Sequence, residues 1–151
     1  MSTITKSRSK ERNSEAALFF LKVFHQPLTS EMDVITISIK GVTKDSLITF
    51  ANLFGYTTEK LAGMLPVTVR TIQRYSNKHK FNASVSEHII QLARLMVKGA
   101  EVFGSRDNFK RWFANPNIAL GGRVPSELVN LKTGTQMVMD ELGRIEHGIF
   151  A

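Results

Sequence analysis

The chain has 151 residues, of which 42% are hydrophobic and 22% are charged, so it can bury a core as one domain or as two small ones. A net charge of +7 favours a polyanionic partner such as nucleic acid, although many small basic domains bind no DNA. The absence of cysteine excludes disulfides and thiolate chemistry. No apolar run approaches the roughly 18 residues of a membrane span, so we expect a soluble, cytoplasmic protein without a membrane partner.

The N-terminal residues are rich in Ser, Thr, Lys and Arg. We expect a disordered basic tail over residues 1–14, because so few apolar side chains cannot offset the entropic cost of ordering. The tail either adds non-specific attraction to phosphates or is only solvated. Residues 15–25 are mostly apolar and stop before Pro27, which predicts a short helix.

Residues 32–42 give conflicting indications. Their Val, Ile and Thr content favours a strand. Ser30 as an N-cap, acidic residues in the first turn and Gly41 after the end favour a helix. We predict a helix here, with a strand as the alternative.

The pattern is clearly helical from Lys44, where apolar residues at helical spacing predict a helix that ends at Gly55. A second helix is predicted from Thr57, followed by a tight turn at residues 65–67. Thr68 is the predicted N-cap of a third helix. Two helices joined by a short turn, the second with a donor-rich outer face, are typical of a helix-turn-helix.

The third helix supplies the candidate DNA-binding residues. Arg70 and Arg74 are one turn apart, so both guanidinium groups can reach guanine edges in a major groove. The alternative is an ordinary charged face exposed to solvent. The candidate DNA-binding residues are Thr68, Arg70, Thr71, Gln73, Arg74 and Lys78.

A long apolar stripe ending at Gly104 predicts a helix that bridges two modules, with a capping box at Ser84 and Glu87. A short helix with aromatic core residues and a Pro/Gly-rich loop follow. Pro125 should open another short helix, and Thr133 with Gln136 should cap a final helix that ends at Gly148. We therefore predict an all-α fold, with a helix-turn-helix domain over 15–83 and a second domain over 84–151 that includes the bridging helix.

The sequence contains no convincing catalytic or metal-binding pattern. Glu146 and His147 are adjacent on a helix and point about 100° apart, which makes a poor acid–base pair. The four histidines lack metal-ligand spacing, and Gly121–Arg123 lacks the Lys-Ser/Thr of a phosphate-binding loop. We expect a protein that is not an enzyme and uses no cofactor or metal.

Two groups of residues resemble the Xre/MbcA/ParS antitoxins of type II toxin–antitoxin systems. Thr68 to Arg74 is similar to the start of the third helix in that family's Xre-like helix-turn-helix. The second group resembles the family's C-terminal toxin-binding domain and consists of Trp112, residues 115–117 and 120–122, Pro125, Gly134 and residues 142–148.

The resemblance implies that the N-terminal module binds operator DNA and autorepresses the operon. It also implies that the C-terminal module covers the NAD-using active site of a RES-domain toxin, in a complex that contains an antitoxin homodimer. We place the dimer contact near Phe19–Phe24 and along the bridging helix. The candidate toxin-binding residues are Arg144, Glu146, His147, Gly148, Ile149 and Phe150. The alternative is a stand-alone helix-turn-helix transcription regulator whose C-terminal module only dimerises.

Overall fold

The computed structural model describes residues 2–148, and within that range the chain forms eight α-helices and two short 3-10 turns, with no strand. The all-α prediction is therefore confirmed. None of these helices combines the length and the apolar character that crossing a membrane requires. The α-helices are α1 (Ser2–Phe24), α2 (Glu31–Lys40), α3 (Lys44–Phe54), α4 (Thr58–Ala62), α5 (Val69–Arg74), α6 (Ala83–Phe103), α7 (Arg106–Phe113) and α8 (Lys132–Glu146); the 3-10 turns are Ile118–Leu120 and Pro125–Glu127.

Helix α1 begins at Ser2, so a continuous helix stands where we predicted a disordered tail over residues 1–14. Its C-terminal turns pack on α3 and bury Phe19 and Val23. The first turn of a helix is unfavourable to form, and a segment that is already packed supplies it. Lys, Arg and Glu are good helix formers, so the helix then extends towards the N-terminus. The prediction of a disordered tail failed because it considered only the burial of apolar side chains, and not the extension of a helix from a packed segment.

Helix α2 confirms the helical alternative for the Val- and Ile-rich segment. Ser30 and Asp33 form a capping box, and Val34 and Ile37 are buried where α2 packs on α6. The backbone N–H and hydroxyl of Thr29 donate to the Asp33 carboxylate, which holds the pKa of Asp33 below its ordinary value. The cap and one apolar face thus outweigh the strand preference of β-branched residues.

The start of α6 differs from the predicted capping box at Ser84. The N-cap is Asn82, whose side chain accepts a hydrogen bond from the Val85 N–H at 2.9 Å. Phe81 fixes this position, since its N–H donates to the Val42 carbonyl at 2.8 Å. Asn is as good an N-cap as Ser, so the tethered residue nearest the helix start takes that role.

Helix α6 packs on α2 and also on α7 and α8. It therefore bridges the two halves, as predicted. Its buried residues recur along the whole helix: Val85, Ser86, Ile89, Ile90, Leu92, Ala93, Leu95, Met96 and Gly99.

Two basic side chains of α7 bind the C-terminal end of α3 and so connect the two halves a second time. The Arg106 guanidinium lies 5.3 Å from the centroid of the Phe54 ring, and it donates to a carbonyl in the last turn of α3. Lys110 Nζ donates to the Gly55 carbonyl at 3.2 Å and lies 4.4 Å from the centroid of the Tyr56 ring. Cations are favoured at a helix C-terminus and over aromatic faces. Burial raises the pKa of Tyr56 to about 12.

Two further predicted features of the C-terminal half differ in the structure, namely the element at Pro125 and the start of α8. Pro125 begins a 3-10 turn rather than an α-helix. Helix α8 starts at Lys132 without a side-chain cap, so the predicted Thr133–Gln136 capping box does not form. The start of α8 is instead determined by a close backbone approach, because a Cβ on Gly134 would lie 1.9 Å from the Leu128 carbonyl oxygen.

Two glycines of α8 give a matched stability test. Gly134→Ala should lower the free energy of unfolding by roughly 1–3 kcal/mol, since the added methyl group forces backbone away from backbone. Gly143→Ala is the control, because no heavy atom lies within 4 Å of its Cβ position and alanine favours a helix by about 1 kcal/mol over glycine. Urea denaturation should show a lower free energy of unfolding for Gly134→Ala and no decrease for Gly143→Ala. Equal stabilities would contradict the close approach at Gly134.

Candidate DNA-binding and partner-binding surfaces

Helices α4 and α5 and the turn between them form the helix-turn-helix. Each helix begins at a threonine cap: Thr57 accepts from the Lys60 N–H at 3.0 Å, and Thr68 accepts from the Thr71 N–H at 3.1 Å. The inner side chains that fix the two helices are buried, namely Leu61, Ala62, Met64, Leu65 and Ile72.

The outer face of α5 carries the predicted DNA-binding side chains. Arg70, Gln73 and Arg74 are all exposed, while Ile72 is buried. Residues three and four apart share one face of a helix, so these three polar side chains project on the same side. Arginine and glutamine side chains are of the kinds that pair with base edges in a major groove.

Thr68 and Thr71 already have structural partners. Their hydroxyl oxygens lie 2.7 Å apart, in addition to the capping bond from the Thr71 N–H. Thr68 is exposed and Thr71 is half-buried. They therefore hold the start of α5 in place, beside the exposed arginines.

The basic segment after α5 contains two exposed lysines with a packed histidine between them. Lys78 and Lys80 are exposed. The His79 ring instead stacks on Tyr75, with ring centroids 3.5 Å apart and planes inclined at 13°. Lys44 Nζ donates to the Tyr75 carbonyl at 2.9 Å, which secures the C-terminal end of α5. Lys78 and Lys80 thus extend the positive surface of α5, whereas His79 packs.

The candidate toxin-binding residues at the C-terminal end of α8 do not all face the same way. Arg144 and His147 are exposed on the side of α8 away from the buried Val138 and Leu142. Glu146 turns towards α6, where the Lys98 ammonium donates to its carboxylate at 2.6 Å. This ion pair, which the sequence analysis missed, holds the end of α8 on α6.

Arg144 has an internal partner as well. Its Nε and one terminal nitrogen both lie 2.8 Å from the Oε2 of Glu141, a residue that is only 8% exposed. The sequence analysis also missed Glu141, although its position three residues before Arg144 suits an ion pair on a helix. Arg144 therefore neutralises a buried carboxylate and exposes the rest of its side chain.

The chain beyond α8 turns at Gly148, whose φ of +67° lies in the left-handed region. Ile149 and Phe150, the predicted apolar anchors, lie outside the described residues. The roles of the candidate DNA-binding and toxin-binding residues stay predictions.

The surfaces that we predicted for a dimer contact are used inside the chain. Phe19, Phe20, Val23 and Phe24 are each at most 9% exposed. The stripe of α6 is buried in the same way. These aromatic residues and the stripe of α6 therefore pack inside the chain, while Leu18 and Leu21 of the same part of α1 are exposed. The exposed large apolar side chains of α2 are Met32, Ile35 and Ile39. The position of a contact between copies stays a prediction.

A groove of about 560 Å³ lies between the N-terminal parts of α6 and α8. Three of its titratable side chains have structural contacts: Arg94 pairs with Glu31 at 2.8 Å, and a His88 ring nitrogen lies 2.7 Å from the Val129 carbonyl oxygen. The ion pair with Arg94 lowers the pKa of Glu31. A search of the described residues finds no group of His, Asp or Glu that could hold a metal ion. The expectation of a non-enzyme stays a prediction.

Two family models match the chain, one in each half. The antitoxin Xre-like helix-turn-helix domain matches residues 33–94, and the antitoxin Xre/MbcA/ParS C-terminal toxin-binding domain matches residues 98–148. The first contains the described helix-turn-helix, and the second contains α7, both 3-10 turns and α8.

Two relatives named antitoxin Xre are similar to the chain. The protein from Photorhabdus laumondii subsp. laumondii is 36% identical over 78 residues, and the one from Yersinia enterocolitica is 32% identical over 80 residues. The matches cover 51% and 52% of this chain. They cover 53% and 54% of the relatives, so the chain spans about half the length of the curated relatives it matches.

The Arg144–Glu141 pair predicts a measurable coupling. Arg144→Ala should lower the free energy of unfolding by about 1 kcal/mol, a modest loss because Arg144 is half exposed although Glu141 is buried. Glu141→Gln in the Arg144→Ala background should recover part of that loss, since no buried charge then lacks its donor. Urea denaturation of the four proteins gives the coupling energy. Strictly additive effects would contradict it.

Proposed function

The chain belongs to the Xre/MbcA/ParS family of antitoxins, and we propose that it neutralises a RES-domain toxin and represses its own operon by binding operator DNA. The observation that carries this proposal is the agreement between the two family matches and two different surfaces. The match to a helix-turn-helix domain includes the exposed polar face of α5, and the match to a toxin-binding domain includes the exposed face of α8.

For DNA binding, α5 would enter a major groove. Arg70 and Arg74 would then pair with bases, with Gln73 beside them, while Lys78 would contact phosphate. Thr68 and Thr71 keep the N-terminal turn of α5 in shape next to the same groove. The net charge of +7 supports the association, because every protein cation that neutralises a phosphate releases a counterion.

For neutralisation, the end of α8 and the residues after it would cover the toxin's active site, which uses NAD. Ile149 and Phe150 would supply apolar contacts, and Gly148 would turn the chain towards the toxin. Arg144 and His147 are exposed on the same side of α8, whereas the pairing of Glu146 with Lys98 holds the end of α8 on α6. Such blocking requires no cofactor and no catalytic residue of the antitoxin.

We also propose that the antitoxin forms a homodimer, since helix-turn-helix proteins usually read two half-sites. Met32, Ile35 and Ile39 are spaced three and four residues apart on α2 and are 66%, 50% and 75% exposed. This apolar stripe lies on the face of α2 away from the buried Val34 and Ile37. We place the contact between the two copies there.

DNA binding can be tested with single charge removals. Arg70→Ala and Arg74→Ala should each weaken binding to DNA from upstream of the gene by roughly 1–3 kcal/mol, the value of one lost bidentate base contact. Arg123→Ala is the control, because it removes the same charge from an exposed position in the other half. Fluorescence anisotropy at several salt concentrations measures the effect. Equal affinities for the three variants would place the DNA-binding surface elsewhere.

Neutralisation can be tested by co-expression with the protein encoded by the neighbouring gene, which under this proposal is a RES-domain toxin. The unaltered chain should restore growth, whereas a chain lacking residues 148–151 should not, because it has lost the apolar residues that are proposed to enter the active site. Phe150→Ala should have an intermediate effect. Both the shortened and the substituted chain should keep the affinity of the unaltered chain for operator DNA, which serves as the control for folding.

Each result in this experiment bears on a separate part of the proposal. Full protection by the shortened chain would overturn the role of the C-terminal residues. Failure of the complete chain to bind the RES-domain protein would overturn the proposed function itself.

A further inference from the structure

The loop between α7 and α8 carries the most exposed large apolar side chain among the described residues. Ile118 is 96% exposed, whereas Leu120, two positions later in the same 3-10 turn, is 3% exposed. A single exposed apolar side chain is common on protein surfaces. Ile118 differs from such a case in the backbone that holds it and in its position.

The backbone around Ile118 is fixed by hydrogen bonds. The Asn117 N–H donates to the Arg123 carbonyl at 3.0 Å, and the Gly122 N–H donates to the Asn117 carbonyl at 2.9 Å, which closes the loop. Within it, the Asn117 side-chain oxygen accepts from the Ala119 N–H at 2.8 Å. The Gly121 N–H also donates to the Ile118 carbonyl at 3.0 Å.

The conformation of this loop explains its two glycines. Gly121 and Gly122 have φ values of +69° and +77°, and no heavy atom lies within 4 Å of either Cβ position. The glycines are therefore needed for their left-handed backbone and not for space. The loop has one well-defined shape, with Leu120 pointing into the core and Ile118 pointing out.

The position of the loop relates it to the proposed toxin surface. The turn Ile118–Leu120 packs against α8 and lies within residues 98–148, which match a toxin-binding domain. Met137, on the outward side of α8, is also 44% exposed. The domain therefore presents apolar side chains to solvent well before the C-terminal residues.

We propose that Ile118 is a preformed apolar anchor that inserts into a pocket on the toxin, separate from the contact made by the C-terminal residues. The inference rests on the proposed function and adds a second point of contact to it. A loop that is rigid before binding loses little conformational entropy when it docks, so burial of the isoleucine contributes nearly in full to affinity. One protruding side chain suits a concave site on a different protein, whereas a two-fold contact between copies needs a self-complementary patch.

The test compares two truncations that remove the same number of carbon atoms. Ile118→Ala should weaken binding of the full chain to the neighbouring RES-domain protein by roughly tenfold to a hundredfold, as expected for one branched apolar side chain. Ile118→Leu should retain most of the affinity. Leu18→Ala, at a side chain that is 52% exposed outside the 98–148 match, should bind like the unaltered chain. Isothermal titration calorimetry gives the Kd values, and light scattering gives the mass of each free variant.

The possible outcomes separate this inference from the proposed function. If the unaltered chain binds the RES-domain protein and Ile118→Ala binds equally well, the anchor is wrong and the proposed function stands. If Ile118→Ala instead lowers the mass of the free chain, the loop is a contact between copies and the inference is overturned. If the unaltered chain does not bind the RES-domain protein, both proposals fail.

Discussion

Burial of apolar side chains along the whole length of α6 is the interaction on which the rest of the described structure depends. The helix packs on α2 in the helix-turn-helix half and on α7 and α8 in the other half. Each fully buried Leu, Ile or Met on this stripe contributes about 1.5–3 kcal/mol relative to an exposed position. Arg106 and Lys110 reinforce the junction by binding the last carbonyls of α3. Helix α6 therefore contributes buried side chains to both halves.

This junction positions two surfaces with different chemistry on one body. The α5 face is polar and basic, held by the Thr68 cap and a buried isoleucine, and it suits a charged, solvated partner. The C-terminal surface combines an exposed α8 face with a rigid loop that carries Ile118, and it suits a protein partner with apolar pockets. The DNA-binding face lies on α5, which packs on α4, whereas the C-terminal surface lies on α8 and the turn packed against it. Because the two surfaces use different elements, we expect one chain to engage DNA and the proposed toxin at the same time.

The sequence predicted those features that depend on local pattern. The helical phase of α3, α5 and α6, the outward arginines and the helix-turn-helix connection all follow from apolar spacing and capping residues. The predictions failed at helix starts that are determined by contacts between distant parts of the chain. Asn82 is the cap of α6 because Phe81 is tethered to Val42, and α8 starts where it does because Gly134 meets the Leu128 carbonyl. The inward turn of Leu120 and the outward turn of Ile118 were likewise unpredictable, since a loop has no periodicity.

The most direct test is the composition of the complex formed when the full chain, the proposed RES-domain toxin encoded by the neighbouring gene and DNA from upstream of the two genes are mixed. Size-exclusion chromatography with multi-angle light scattering measures its mass and its protein and DNA content. The account predicts one peak that contains all three components. Elution of the RES-domain protein apart from the chain would contradict it.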